Sequence, residues 1–166
     1  MTDQEETDFI LAYRIVAPKW TRTALSGEGA RLYGGRWNSP GRPMVYLSTS
    51  RSLAALELLV HLTTVASRRI PRSLIQVRVP RTIIGGELSK DQGWREDPPG
   101  KGSTDQGDDW LEVGKTAGVL VPSVIVPEEH NLLLNPQHPD FQGADVLETT
   151  PFSFDPRLSG NQSKIS

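Results

Sequence analysis

Pro43-Met44-Val45-Tyr46-Leu47-Ser48-Thr49-Ser50-Arg51-Ser52-Leu53-Ala54-Ala55-Leu56-Glu57-Leu58-Leu59-Val60-His61-Leu62 changes its hydrophobic period part-way along. Residues 43–48 alternate, with Met44, Tyr46 and Ser48 on one face and Val45 and Leu47 on the other, which predicts a strand. Thr49-Ser50 then offers a helix cap, and residues 52 to about 67 predict the most prominent helix of the chain. Upstream, residues 10–16 are apolar and β-prone and are stopped by Ala17-Pro18. Downstream, residues 74–79 alternate again, with Ile75, Val77 and Val79 opposite Leu74, Gln76 and Arg78, before Pro80 ends the run. Residues 119–127 read as a buried strand bent at Pro122, and 131–134 and 151–154 as two further strands. Many short strands with one main helix predict a mixed α+β domain built on antiparallel or split sheets.

Between the first two strands lies Ser26-Gly27-Glu28-Gly29-Ala30-Arg31-Leu32-Tyr33-Gly34-Gly35-Arg36-Trp37-Asn38-Ser39-Pro40-Gly41. Its glycines permit close backbone approach, while Tyr33 and Trp37 mark a structured loop and not a linker. Residues 85–109, rich in Gly, Pro, Asp and Lys, predict a surface excursion.

The 166 residues suit one domain, and 36% hydrophobic with 23% charged residues is a globular composition. A net charge of −2 gives no overall attraction to nucleic acid. The absence of cysteine removes disulfides and thiol chemistry, and the three histidines (61, 130 and 138) lack metal-ligand spacing. The acidic start, Met1-Thr2-Asp3-Gln4-Glu5-Glu6, is unlike a signal peptide, and no apolar run is long enough for a membrane span, so a cytoplasmic location is expected.

Glu57 is the sole carboxylate between Arg51 and Arg68. On the helical wheel it falls between Leu53 and Val60 on one side and His61 on the other, with Leu56, Leu59 and Leu62 covering most of the rest. A helix so apolar is expected to be buried, with Glu57 inside or at the lip of a cleft. Such a carboxylate is either catalytic or a structural group bound to backbone or to a nearby arginine. Arg31 and Arg36 either clamp phosphates beside glycine amides or pair with surface carboxylates. Tyr46 is a core aromatic or a stacking platform, Ser123 a polar atom in an apolar strand without a nucleophile signature, and Asn135 before Pro136 a turn residue or a ligand contact.

Taken together, Arg14 in Tyr-Arg-Ile, the 29–41 block, Val45-Tyr46-Leu47-Ser48 and Leu56-Glu57-Leu58-Leu59-Val60-His61-Leu62 resemble the RES-domain family. So do Val121-Pro122-Ser123 and Asn131-Leu132-Leu133-Leu134-Asn135-Pro136-Gln137-His138-Pro139. The resemblance divides the chain into a tail at 1–10, a RES domain at 11–158 and a tail at 159–166. It implies a fold similar to ADP-ribosyltransferase toxins, with split antiparallel sheets and helices around a cleft that takes NAD⁺. It also carries the family's arginine, tyrosine and glutamate onto Arg36, Tyr46 and Glu57, its serine onto Ser123 and its asparagine onto Asn135.

The implied activity is that of a toxin that depletes NAD⁺ by hydrolysis or phosphorolysis and is neutralised by an Xre-like antitoxin in a hetero-oligomer. No direct nucleic-acid or membrane contact is expected. Nicotinamide is a positively charged leaving group and needs no general acid, so one carboxylate suffices to stabilise the ribosyl cation. Glu57 would face that cation, Tyr46 would pack on the nicotinamide side, and Arg36, helped by Arg31, would hold the pyrophosphate or adjacent ribose. Ser123 and Asn135 would fix polar groups. NAD⁺ is then the substrate, inorganic phosphate an optional co-substrate, and no metal or other cofactor is required. Competing readings are ADP-ribosyl transfer onto a protein, a non-catalytic docking or nucleotide-binding module and, more weakly, a nucleic-acid-binding module.

Overall fold

The computed structural model describes residues 8–88 and 93–159, so the expected terminal tails lie largely outside the described residues. Seven strands form one sheet: β1 (Phe9–Val16), β2 (Val45–Ser48), β3 (Arg72–Pro80), β4 (Ile84–Glu87), β5 (Gly118–Pro122), β6 (His130–Leu134) and β7 (Asp145–Phe152). Their order is β4-β5-β6-β2-β1-β3-β7. All neighbours are antiparallel except β4 and β5, which run parallel, so the sheet is mixed and not wholly antiparallel as expected.

The sheet is pinched in the middle. β1 pairs with β3 along its full length, from Phe9↔Pro80 to Val16↔Ser73. It meets β2 through the single register pair Tyr13↔Ser48. The seven strands therefore behave as two halves, β4-β5-β6-β2 and β1-β3-β7, joined at one point, and this is the form the expected split takes.

Side-chain alternation explains the layering. One face carries Ala12, Val45, Leu47, Ile75, Val77, Val79, Leu132 and Leu134 in a core that crosses both halves and is covered by Ala24 and Ile83. Arg14 lies on this face too: its guanidinium donates to Ala24 O at 2.6 Å, and burial lowers its pKa. On the opposite face the apolar residues separate into two groups. Tyr13, Ala54 and Leu74 pack together over β1 and β3, and Trp37, Met44, Val119, Val121 and Leu133 over β5 and β6.

Among the described residues, four helices cover that divided face and its flanks: α1 (Glu28–Tyr33), α2 (Arg51–Leu59), α3 (Val65–Arg69) and α4 (Lys101–Val113). They correct the reading of the sequence at three places. The glycine-rich block contains α1 and is not loop throughout. The expected long helix stops at Leu59, where the amides of Val60, His61 and Leu62 close short turns onto Leu56, Leu58 and Leu59. Thr64 then opens α3 with a reciprocal capping box to Ser67, an arrangement that β-branched Thr63-Thr64 favours over continued helix. Of the expected 85–109 excursion, residues 89–92 lie outside the described residues, and the rest contains most of β4 and most of α4, whose polar composition conceals it from a periodicity search.

Further strand boundaries shift modestly. The chain leaves the sheet at Pro122 instead of bending through it, and the last strand begins at Asp145. None of the helices among the described residues is long and apolar enough to cross a membrane.

Candidate active site

Ser50 caps α2 by accepting from Leu53 N at 3.0 Å, so the helix starts directly after β2 and lies against β1 and β2. Leu53 and Ala54 are its buried residues. The helix is not sheathed in protein as its leucines suggest: Leu56 is 38% and Val60 57% exposed. Only a narrow stripe docks, which leaves Glu57 half-buried at the edge of the contact.

Glu57 points at the polar gap between the two apolar groups. Its Oε1 accepts from Ser123 Oγ at 2.8 Å and from Asn131 Nδ2 at 2.6 Å. No arginine is paired with it among the described residues, so of the two structural alternatives neither the ion pair nor the backbone contact is what holds it. Ser123 Oγ in turn accepts from the amides of Ile125 and Val126, both at 3.1 Å. Its acceptor capacity is thus filled by backbone and its proton is committed to Glu57. Asn131 Oδ1 accepts from Ser48 Oγ at 2.7 Å, across the β2–β6 register pair Ser48↔Asn131. The cluster sits at the strand position where the two half-sheets join.

Tyr46 lies two residues before Ser48 on the same face, about 7 Å away along the strand. Its hydroxyl donates to Asn38 Oδ1 at 2.6 Å and accepts from Trp37 N at 3.0 Å. Burial, as the main cause, pushes the phenol well above its usual range; the Trp37 amide and Arg36 oppose the shift, and Asp108 adds to it. A Cβ on Gly35 would fall 2.5 Å from that hydroxyl, so the loop can approach Tyr46 only with glycine there.

Arg36 NH1 donates to the carbonyls of Trp94 at 3.0 Å and Glu96 at 2.8 Å. Between these two residues, Arg95 NH2 donates to Val124 O at 3.3 Å, next to Ser123. Residues 94–96 therefore bridge the arginine loop and the turn that holds Glu57. α4 fixes the same loop from behind: Thr104 Oγ1 donates to Arg36 O at 3.2 Å, and Asp108 receives both the amide and the hydroxyl of Ser39.

Glu57 and Ser123 are thus in direct contact, Tyr46 is one pleat along β2 from Ser48, and Arg36 is tied to the Ser123 turn through residues 94–96. Arg31 and Asn135 are placed elsewhere. Arg31 forms an exposed ion pair with Glu28 one turn back on α1, with bonds of 2.8 and 2.5 Å. Asn135 is about 13 Å along β6 from Asn131, where its Oδ1 accepts from Gln137 N in a turn. It lines a separate concavity of about 220 Å³ with Arg42 and Glu112. Asn131, Ser48 and the 94–96 bridge were missed from the sequence. Asn131 gave no local signal, because its role depends on which strand pairs with β2.

A mixed sheet joined at its centre by one register pair, with a carboxylate held beside the join by a serine and an amide, defines an α+β protein with a candidate acidic site. The chain belongs to the RES-domain family, whose model matches residues 11–155. It is 42% identical over 141 residues to "Prs ADP-ribosylating toxin" of Sphingobium sp., covering 81% of this chain and 86% of that protein. It is 41% identical over 152 residues to "Toxin Res" of Yersinia enterocolitica, covering 90% and 99%. Among solved structures, the fold matches a chain of the M. tuberculosis MbcT–MbcA toxin–antitoxin complex with a TM-score of 0.68. That match has 22% identity and covers 93% of this chain and 91% of that one.

Proposed function

We propose that this protein is the toxin of a toxin–antitoxin pair and that it cleaves the bond between nicotinamide and ribose in NAD⁺. The observation that carries the reading is the state of Glu57. A half-buried carboxylate has one oxygen fixed by Ser123 and Asn131, and among the described residues its Oε2 receives no hydrogen bond. That oxygen is available to a ribose hydroxyl and to a cation developing beside it.

In the reaction the C1″–N bond breaks and its electron pair leaves with nicotinamide, cancelling the pyridinium charge. The sugar becomes a cation at C1″, which the fixed carboxylate stabilises without having to reorient. Water then bonds to C1″ and releases its proton to solvent, giving ADP-ribose; inorganic phosphate in the same place gives ADP-ribose-1″-phosphate. Tyr46 offers a ring held rigid by its two hydrogen bonds. Arg36 has NH1 committed to carbonyls and its remaining donors directed to the pyrophosphate or adjacent ribose. The proposed role of Arg31 is secondary, since a ligand would have to displace Glu28. Asn135 supports its turn, and its proposed contact with substrate requires a ligand long enough to reach past β6.

The relatives' names support the toxin assignment, and the solved toxin–antitoxin complex of the same fold supports a neutralising protein partner; an Xre-like antitoxin is the proposed one. One relative's name, "Prs ADP-ribosylating toxin", favours a second reading in which a protein side chain captures C1″. Incubating the purified chain with NAD⁺ labelled in its adenylate phosphate, with and without phosphate and cell extract, separates the three fates. Label in ADP-ribose, in its 1″-phosphate or on a macromolecule identifies the acceptor. Intact NAD⁺ in every arm overturns the activity.

A further inference from the structure

We propose that Asn131 is a positioning residue for the Glu57 carboxylate, supported from behind by Ser48; the proposal rests on the reading of Glu57 as the group that faces the ribosyl cation. An ionised carboxylate only accepts hydrogen bonds, so it selects the NH₂ end of the Asn131 amide, which donates to Oε1 at 2.6 Å. The carbonyl end then points away, where Ser48 Oγ donates to it at 2.7 Å. The bonds run head to tail from Ser48 through Asn131 to Glu57, each polarising the next. With Asn131 reversed, two oxygens would face each other at Glu57.

The backbone fixes this chain at both ends. Ser48 and Asn131 are register partners between β2 and β6, and Ser48 is also the partner of Tyr13 in the one pair joining β1 to β2. Asn131 is further opposite Val121, and Ser123 directly follows the end of β5 with its amide donating to Glu129 O at 2.9 Å, so the two donors to Oε1 come from β6 and from the residue just beyond its neighbour β5. Two donors from fixed backbone hold the plane of the carboxylate and leave Oε2 as its presented oxygen. Asn131 is neutral, so it orients the group without cancelling the negative charge that the sugar cation needs. A lysine or arginine there would orient it and quench it.

The test compares nicotinamide release by the full chain as wild type, Glu57→Gln, Asn131→Asp, Ser48→Ala and Ser48→Thr, with thermal unfolding of each. Asn131→Asp keeps the shape, replaces the donor by an acceptor and sets a second carboxyl group against Glu57. It is expected to lower kcat about 100-fold, the scale of a hydrogen bond to a charged group. KM should change less than about threefold, because the carboxylate's contact with a ribose hydroxyl is one of many in the bound ground state, whereas its charge matters most once the cation develops. Ser48→Ala is expected to lower kcat about tenfold and Ser48→Thr to restore most of it, which decides the matter if Asn131→Asp does not fold. If Glu57→Gln is inactive while Asn131→Asp retains kcat within about twofold, or Ser48→Ala does so where Asn131→Asp is unfolded, the proposal is overturned.

A readout independent of turnover is the ¹⁵N-resolved side-chain amide of Asn131, identified by its absence in Asn131→Asp. It should move in both Glu57→Ala and Ser48→Ala. A resonance unmoved in Glu57→Ala overturns the proposal even if NAD⁺ is cleaved. A wild type that shows the bonded amide but releases no nicotinamide overturns the catalytic reading instead, and positioning for that reaction falls with it.

Discussion

Tyr46 shows how one residue serves both fold and site. Its hydroxyl satisfies the Trp37 amide and Asn38 Oδ1, two groups in residues only 2% and 1% exposed. Tyr46→Phe leaves both without a partner and is expected to cost about 1–3 kcal/mol, measured by urea unfolding at neutral pH. The raised phenol pKa adds a second signature. In the unfolded chain a tyrosine ionises near pH ~10, whereas folded Tyr46 keeps its proton, so above that pH unfolding releases a proton and stability falls as pH rises. Tyr46→Phe should remove this part of the alkaline slope, and an unchanged slope between wild type and variant would show that the phenol is not held neutral. At this scale the sequence was informative about types and less so about partners. Glu57 stood out because nothing else near it on the helix is acidic, and Ser123 because it follows an apolar strand. Asn131 and Ser48 carried no such contrast, since a polar residue at a strand end is ordinary until pairing places it against a carboxylate.

The elements divide according to how strongly local pattern governs them. β1, β3 and β6 were legible because apolar, β-prone runs, alternating only in β3, coincide with full ladders in the sheet. α2 was legible in its start, where Ser50 caps, and not in its end, where Thr64 begins a new helix by a capping box. α4 was hidden because only its C-terminal end carries large apolar residues, Trp110 and Leu111, and the rest docks through small ones. Ser103 and Gly107 are its buried residues, and a Cβ on Gly107 would fall 1.7 Å from Trp37 O. Gly107→Ala must therefore push α4 away from the arginine loop, at an expected cost of about 3 kcal/mol, near the upper end for overpacking. Because Thr104 and residues 94–96 hold Arg36, the same substitution should raise KM for NAD⁺ more than it lowers kcat. Thermal unfolding and initial rates check the two effects separately, and an unchanged KM in Gly107→Ala would detach α4 from the site. By contrast Ser50→Ala should cost about 1 kcal/mol through loss of the cap.

For the molecule as a whole, the two faces of the sheet do different work. The face with Val45, Ile75 and Leu132 runs unbroken across both half-sheets and supplies cohesion, while the other face is interrupted by Ser48, Asn131 and Ser123 around Glu57. The α+β class and split character followed from strand and helix counts together with the family resemblance. The single Tyr13↔Ser48 join and the parallel β4–β5 pair did not, because register and direction are settled between distant segments. Amide exchange should expose this division. The β1 amides facing β3 are expected to exchange with global unfolding, and most of those facing β2 by local opening, whereas equal protection on both edges would contradict a sheet joined at one pair. The most direct test of the whole reading is nicotinamide release from NAD⁺ by the purified wild-type chain beside Glu57→Gln of equal stability. Steady release by the wild type with a loss of at least about 100-fold in the variant is the expected result. Equal rates from the two proteins would contradict it.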